Sequence, residues 1–300
     1  DAGGQSIEEL VEAKDRGRSM EVMSDGAAKI VEKLYSEGKV AGIISLGGSA
    51  GTTIGTTAMK RLPVGIPKVM VSTLASGDTR PYVGTKDITM MYSVVDILGV
   101  NSLSSEILSN AAFAVAGMVK GKKPEPKKKR PLIAATMFGV TTPCVEKARE
   151  YLEEHGYEVL VFHATGTGGK AMENLVEEGF ISGVLDITTT ELCDELVGGV
   201  LSAGPDRLEA AGKEGVPQVV STGALDMVNF GPLDTVPKEF ENRNLYKHNP
   251  TVTLMRTTVA ENKKLAEIIS EKLNKAGSFL PGFEKLKTTD TWGRMFFPSF

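Results

Sequence analysis

The sequence contains few of the residues that build disulfide frameworks and metal centres. Its 300 residues include two cysteines, Cys144 and Cys193, and three histidines. Two cysteines are too few for a disulfide framework, so we expect a reducing, cytoplasmic compartment. Because the histidines and cysteines stand singly, without the short spacings of a zinc site, we predict no metal ligands.

The chain also lacks an excess of positive charge and a long apolar run. Its net charge of -4 is not the basic footprint of a protein that binds nucleic acid non-specifically. No apolar stretch approaches the ~20 residues that cross a bilayer, and no signal peptide precedes Asp1. We therefore expect neither nucleic acid nor a membrane as a partner. Since no methionine begins the sequence, we also expect a trimmed chain.

A stretch rich in lysine and proline divides the sequence. Residues 120–131 cannot bury a core and predict a solvated linker. The less favoured alternative for such a charge run is nuclear import or nucleic-acid binding. The linker would separate a first lobe, residues 1–119, from a second lobe, residues 132–276, and an irregular tail would follow at residues 277–300.

Apolar strand-like runs alternate with helix-like patterns through both lobes. The runs are continuous rather than alternating in polarity, as in the buried strands of parallel sheets. This rhythm indicates a parallel sheet covered on both faces by helices. The predicted fold is therefore α/β, with two Rossmann-like lobes and a cleft between them. The runs are residues 40–46 and 67–73 in the first lobe, and 132–138, 157–164, 181–187, 216–222 and 252–257 in the second.

Several polar residues predict where helices start. Asn101 and the serines after it precede a long run rich in alanine, leucine and isoleucine, so a helix is expected to start there. Thr142 followed by Pro143 fits the first positions of a helix. Two pairs have the spacing of a capping box: Thr188 with Glu191, and Thr258 with Glu261.

Four strands of the second lobe end in turns of small and hydroxylated residues. The turns read TMFGVTTP, HATGTGGKAME, LDITTTELCDE and VSTGALDMVNFG. A helix N-terminus offers unpaired N–H groups and a partial positive charge, and glycine lets a ligand approach the backbone. The turns therefore predict a site for a phosphate or carboxylate. The alternative is a tight turn with a structural role only.

The glycine-rich turns match neither of two well-known nucleotide motifs. The segment GTGGKA at residues 166–171 resembles a P-loop, but Ala164 and Ala171 stand where that motif needs glycine and a hydroxyl residue. A similar turn, GGSAGTT, occupies residues 47–53 of the first lobe. Neither turn is a GxGxxG followed by a suitably spaced acid, so a nicotinamide cofactor is disfavoured.

Three side chains in these turns are candidates for proton transfer. His163 ends a strand beside the glycine turn, where a general base fits, although a structural histidine fits equally well. Asp186 suits a ribose contact, a metal ligand or a helix cap. Asp226 follows a strand, at the end where open α/β sheets bind ligands. Cys144 lies in the first turn of a helix, but no base accompanies it, so a packing role is favoured.

Long blocks of the sequence resemble one family. They include SLGGSAGTT, TMFGVTTPCV, EVLVFHATGTGGKAMENLVEEGF, VSTGALDMVNFGP and HNPTVTLMRTTVAENKKLAEIISEKLNKA. These blocks, spread over about residues 19–276, are similar to the plant tobamovirus-resistance proteins and their bacterial, archaeal and fungal relatives. The resemblance implies ATP as the ligand, with Mg²⁺ as its companion ion, and a homodimer formed through the first lobe. It also implies a protein partner, since the plant protein inhibits viral RNA replication by engaging the viral replication protein.

The resemblance places the predicted nucleotide contacts and shows two departures. The family begins with a strand and a turn similar to TLDTKG, and it continues beyond the last helix through an LP…SALDAPG stretch. Neither is present here, so we expect the first lobe to lack its N-terminal strand and to expose a sheet edge. The family's turns fall on Gly47, Gly48, Ser49, Thr73, Ser76, Gly77, Gly139, Thr141, Thr142, Gly166, Gly168, Gly169, Lys170, Thr188, Thr189, Thr190 and Gly223.

Two functions remain open from the sequence. The first is an ATP-binding protein that holds the nucleotide between its lobes by the glycine- and threonine-rich turns and acts as an interaction module. The alternative is a metabolic enzyme for a phosphorylated or carboxylated small molecule. In that enzyme His163, Asp186 or Asp226 would transfer the proton.

Overall fold

The chain folds into two compact units. A computed structural model describes residues 2–121 and 130–275, and the units are Asp1–Pro126 and Lys127–Phe300. Most of the predicted linker, residues 122–129, and almost all of the predicted tail lie outside the described residues.

The first unit contains a three-stranded parallel sheet. Its strands are β1 (Ile43–Gly47), β2 (Lys68–Ser72) and β3 (Thr89–Tyr92), in the order β1-β2-β3. β2 is buried along its whole length, as its continuous apolar run predicts for a central parallel strand. The helices of this unit are α1 (Ile7–Ala13), α2 (Arg16–Ser36), α3 (Ser49–Lys60), α4 (Arg80–Val83) and α5 (Ser102–Lys120).

Helix α5 begins where the sequence predicts and packs on the sheet. The side chain of Asn101 accepts a hydrogen bond from the backbone of Ser104, whose hydroxyl accepts one from the backbone of Asn101. Ala111 of α5 joins Val69 and Val71 of β2 in a small core. Each of these three side chains is fully buried.

Helix α5 bears on the expectation that no apolar run is long enough to cross a bilayer. By length and composition its 19 residues are apolar enough to cross a membrane, a property that core helices of soluble proteins share. Serines interrupt the apolar run, so the sequence shows no continuous apolar stretch here. The helix is apolar enough only when its hydropathy is averaged over its length.

The second unit contains a four-stranded parallel sheet. Its strands are β4 (Leu132–Met137), β5 (Glu158–His163), β6 (Gly183–Thr188) and β7 (Gln218–Gly223). Their order is β5-β4-β6-β7, and every neighbouring pair is parallel. The chain runs outward from β4 to β5 and then crosses back to β6, so the direction of winding reverses between β4 and β6. Such a reversal is the topological switch point of an open α/β sheet.

Helices cover both faces of this sheet, as predicted. The covering helices are α6 (Thr142–Glu154), α7 (Thr167–Glu177) and α9 (Ala210–Lys213), and the unit also contains α8 (Glu191–Val197) and α10 (Val259–Lys275). Adjacent residues of β4 point to opposite faces. Ala134 packs with α7 and α9 through Met172 and Ala210, and Ala135 packs with Val145 of α6.

The last predicted strand lies in a different sheet. The sequence predicts residues 252–257 as a fifth strand of the parallel pattern, but β10 (Val252–Arg256) is antiparallel to β8 (Met227–Phe230) and β9 (Leu245–Asn249). Two residues separate β9 from β10. A connection that short makes a hairpin and not a parallel crossover. The small sheet has its own core with α8 and α10.

Candidate functional site

The four hydroxyl-rich turns of the second unit lie along one edge of the parallel sheet. They follow β4, β5, β6 and β7, and the carboxyl ends of parallel strands meet at the same edge. The switch point between β4 and β6 lies within it. Open α/β sheets bind their ligands at this place. We term it the carboxyl edge, formed by residues 138–142, 163–170, 188–194 and 223–227.

A buried arginine holds together the elements that form this edge. Both amino groups of Arg207 contact the Asp186 carboxylate, at 2.6 and 2.8 Å, and its Nε donates to Glu191 at 2.7 Å. A third carboxylate, that of Glu173, lies 3.2 Å from the guanidinium. The side chains of Arg207, Asp186 and Glu191 are almost wholly buried. One buried cation therefore faces three carboxylates.

A strained turn presents Arg207 to these carboxylates. The next residue, Leu208, is fully buried and has a φ of 78°, a left-handed conformation that costs of order 1–3 kcal/mol. The two oxygens of Glu173 accept the N–H groups of Leu208 and Ala210, at 2.7 and 2.8 Å. Glu173 thus stabilises the turn that carries Arg207, the cation with which Glu173 is paired.

Burial changes the acidity of this cluster. It raises the pKa of Glu191 and of Glu173, against the opposing attraction of Arg207. Burial alone would lower the pKa of Arg207, but the charges of Asp186, Glu191 and Glu173 outweigh it and raise that pKa. The guanidinium therefore stays charged, and the carboxylates depend on it for compensation.

Glu191 fills the N-terminal end of α7. Its Oε1 accepts hydrogen bonds from the N–H groups of Gly166 and Gly169, at 2.7 and 3.0 Å. The predicted capping box of Thr188 with Glu191 is therefore wrong. The Glu191 side chain reaches back to α7, and Thr190 precedes α8 without a side-chain cap. The backbone amides of Gly166 and Gly169, predicted as contacts for a bound anion, are therefore already bonded to the carboxylate of Glu191.

The glycines of this turn are required by packing. A β-carbon on residue 168 would lie 1.9 Å from the carbonyl oxygen of His163, and one on residue 169 would lie 2.1 Å from Oε2 of Glu191. Neither distance is compatible with a side chain. Gly223 is similar, since a β-carbon there would lie 2.1 Å from the carbonyl oxygen of Ile187. The binding role predicted for these three glycines stays a prediction.

The threonine hydroxyls of the turn after β6 point inward. Thr188, Thr189 and Thr190 are fully buried, and their hydroxyls donate to the carbonyl oxygens of Thr136, Ser221 and Met227. Thr141 joins them through a 2.7 Å hydroxyl contact with Thr188. These hydroxyls tie the neighbouring turns to each other.

The part of the edge around β4 and β5 is open. Gly139 and Val140 are exposed, Thr142 is half-buried, and Lys170 is exposed. No heavy atom of the described chain lies within 4 Å of the place where a β-carbon of residue 139 would stand. Here a ligand has access to backbone and to the start of α6, while the ammonium group of Lys170 lies beside Gly204, 4.0 Å from the place of a β-carbon there.

An aromatic pair stands on this open part. The ring of Phe138, just after β4, meets the ring of His163 edge-to-face, with centroids 5.5 Å apart. Phe138 is half-buried and His163 is exposed. No role was predicted for Phe138 from the sequence. The available signal was an aromatic residue directly after a strand of the parallel sheet.

The three proton-transfer candidates lie in different surroundings. Both oxygens of Asp186 are held by Arg207, and Oδ1 also accepts from the hydroxyl of Thr136 at 2.6 Å. Asp226 is exposed and pairs with Arg256. Within residues 130–275, no hydrogen bond or ion pair joins His163, Asp186 and Asp226 to one another. Their catalytic role stays a prediction.

The predicted turns of the first unit remain accessible. Gly48 precedes α3 without a side-chain cap, and Ser49, Ser76 and Gly77 are exposed. Behind them the hydroxyls of Thr52 and Ser72 lie 2.7 Å apart. Gly47 and Thr73 are joined by a backbone hydrogen bond of 3.3 Å. The nucleotide contacts predicted for these turns stay a prediction.

Acidic residues of the described ranges do not gather into a metal site. Among residues 2–121 and 130–275, no three His, Cys, Asp or Glu side chains are arranged to hold an ion.

A further buried carboxylate, that of Asp194, belongs to this edge. Asp194 of α8 accepts from the backbone N–H and the side-chain amide of Asn229 in β8, at 2.9 and 2.7 Å. Burial raises the pKa of Asp194 to about 6, although the hydrogen bonds from Asn229 oppose the shift. The pair attaches α8 to the antiparallel sheet.

Family models match nearly the whole chain. The model described as "Uncharacterised protein family (UPF0261) N-terminal domain" matches residues 1–124, and its C-terminal counterpart matches residues 130–281. The chain belongs to the UPF0261 family. A UPF0261 protein of Clostridium tetani is 66% identical over 298 residues, which are 98% of this chain and 74% of the relative.

The plant resemblance is also confirmed. The ToMV resistance protein Tm-1(GCR237) and the ToMV susceptible protein tm-1(GCR26) of Solanum lycopersicum are each 52% identical over 268 residues. The match covers 88% of this chain and 36% of each tomato protein. The UPF0261 chain thus spans just over a third of their length. Because the resistance and the susceptible forms match equally well, the similarity does not indicate that this chain resembles the resistance form in particular.

The packing of the glycine turn predicts a difference in stability between two variants. Gly168→Ala should lower the free energy of unfolding by about 1–3 kcal/mol or more, because its β-carbon overlaps a backbone carbonyl. Gly139→Ala should change it by less than about 0.5 kcal/mol, because the new methyl group enters open space. Urea denaturation followed by circular dichroism measures both. Equal losses in the two variants would contradict the packing described.

Asp194 predicts a pH dependence of stability. Since its pKa is about 6 in the folded chain and 3.8 ordinarily, the folded state holds more protons between these values. The free energy of unfolding should therefore fall by up to about 3 kcal/mol as the pH rises from 4 to 6. In Asp194→Asn this part of the slope should disappear, whereas the exposed control Asp226→Asn should keep it. An unchanged slope in Asp194→Asn would refute the assignment.

Proposed function

We propose that the chain binds ATP at the carboxyl edge of its second unit and acts as a nucleotide-dependent interaction module. The observation that carries the proposal is the reversal of strand order between β4 and β6, beside an open glycine turn. Ligands of open α/β sheets bind outside the carboxyl ends of the strands at such a reversal.

The open part of the edge fits an anionic group. The turn at residues 139–142 leads into α6, a helix of 13 residues, whose N-terminal end carries a partial positive charge. Lys170 adds a full positive charge at the turn after β5. The amides of Gly166 and Gly169 are bonded to Glu191, so they are not counted among the anion's contacts.

The resemblance to the plant proteins supports ATP as the nucleotide. Mg²⁺ would accompany the phosphates, since this ion keeps several waters and is commonly bound through substrate phosphates and one or two carboxylates. The names of the tomato relatives refer to ToMV. They support a protein partner for the module without identifying one for this chain.

Exposed apolar side chains support a homodimer through the first unit. Leu98, Val100 and Phe113, in and just before α5, are 90%, 76% and 73% exposed. Exposed apolar groups that gather on a surface are typical of interaction sites. We propose that a second copy of the chain covers them.

A charge placed in the open turn should prevent nucleotide binding. Val140→Asp should fold normally, because Val140 is 64% exposed and a carboxylate near a helix N-terminus is favourable. It should weaken ATP binding about tenfold or more, because like charges then meet in the site. Isothermal titration calorimetry with ATP and Mg²⁺ measures this effect.

The control for this experiment is Val219→Asp, since Val219 is equally exposed, at 63%, near the start of β7. It should bind ATP as the wild type does. A wild-type chain that binds no ATP at millimolar concentration, or two variants with equal affinity, would overturn the proposed site.

The proposed homodimer can be tested by a substitution at one of its exposed apolar residues. Phe113→Glu should shift the molar mass measured by light scattering after gel filtration from dimer to monomer, because a charge cannot be buried unpaired in the interface. Tyr151→Glu is the control, since Tyr151 is an exposed aromatic residue of the second unit and should leave the mass unchanged. A monomeric wild type would exclude the dimer.

A further inference from the structure

Two rings mark one end of the carboxyl edge. His163 is the last residue of β5, its register partner Met137 is the last residue of β4, and Phe138 follows directly. Parallel pairing therefore places Phe138 and His163 side by side, with ring centroids 5.5 Å apart and planes at 72°. Their position at two adjacent strand ends follows from the sheet and does not depend on a loop.

These rings are accessible from solvent. His163 is exposed and Phe138 half-buried, while Val140 beside them is 64% exposed. Gly139, between Phe138 and Val140, has open space around it in the described chain. A flat apolar group can therefore reach the rings without displacing a side chain.

The chemistry of this end suits a ring better than a phosphate. The helix N-terminus that follows β5, that of α7, is occupied by the Glu191 carboxylate through Gly166 and Gly169. The same carboxylate is paired with Arg207. Among the described residues at the ends of β4 and β5, the ring of His163 and the side chain of Val140 are exposed, and the ring of Phe138 is half-buried.

We propose that Phe138 and His163 form a stacking platform for the purine ring of the nucleotide. This inference rests on the proposed nucleotide site and adds the orientation of the ligand. The base lies over the ends of β4 and β5, and the phosphates extend toward the start of α6. Every base presents a π-face, so aromatic contacts of this kind bind bases through stacking and not through hydrogen bonds to their edges.

The test compares ATP with inorganic tripolyphosphate, which carries the same kind of anionic chain without a base. Both are titrated, with Mg²⁺, into wild-type protein, Phe138→Leu and His163→Ala. Leucine keeps the apolar volume of Phe138 and removes the ring, and His163 is exposed, so both variants should fold. Each should bind ATP about tenfold more weakly and should bind tripolyphosphate within twofold of the wild type.

A ring pair away from the edge supplies the matched control. Tyr151 and His155 are stacked 4.1 Å apart at the C-terminal end of α6, and Tyr151→Leu should change neither affinity. His163→Phe restores a ring and should restore ATP binding that His163→Ala loses.

The outcomes separate the inference from the proposed function. Equal losses for ATP and tripolyphosphate, or no loss for either, would overturn the stacking platform. Wild-type protein that binds tripolyphosphate as tightly as ATP would also overturn it, while leaving an anion site at the edge. Wild-type protein that binds neither ligand would overturn the proposed function itself.

Discussion

The second unit depends on the buried contacts of Arg207. Its guanidinium joins Glu173 of α7, Asp186 of β6 and Glu191 of α8, three elements that follow one another along the chain. Without the guanidinium, three buried carboxylates would have no positive charge to balance their negative charge. Removing one partner of a buried ion pair typically costs 3–5 kcal/mol. The strained backbone at Leu208 is tolerated because Glu173 holds the same turn by two hydrogen bonds.

The same cluster divides the carboxyl edge into a closed and an open part. Glu191 and the inward hydroxyls of Thr188, Thr189 and Thr190 close the middle of the edge. The turn at residues 138–142, His163 and Lys170 remain open. A ligand of this unit is therefore expected on the β4–β5 side, where a helix start and two rings are accessible. In the closed part, internal groups satisfy one another without a ligand.

The sequence predicts β1, β2 and β4 to β7 because their apolar runs are continuous, and it predicts the start of α5 because Asn101 and the serines after it precede a long apolar run. It misses contacts that join distant residues. Glu191 has a local capping partner in Thr188, yet it bonds to Gly166, 25 residues away. It misses β9 because four of its five residues are exposed, which leaves no hydrophobic pattern. The glycine-rich turn suggested a ligand, whereas the overlap at residues 168 and 169 shows a packing requirement that only the fold reveals.

Hydrogen exchange at the amides of Gly166 and Gly169 tests the central claim most directly. If Glu191 is the permanent anion of α7, both amides are protected in the ligand-free chain, because a buried carboxylate holds them. NMR should then show the same slow exchange with and without ATP, while the amide of the exposed Gly139 becomes slower only when ATP is present. Fast exchange at Gly166 and Gly169 that ATP slows would contradict the account, because an external anion would then occupy the end of α7.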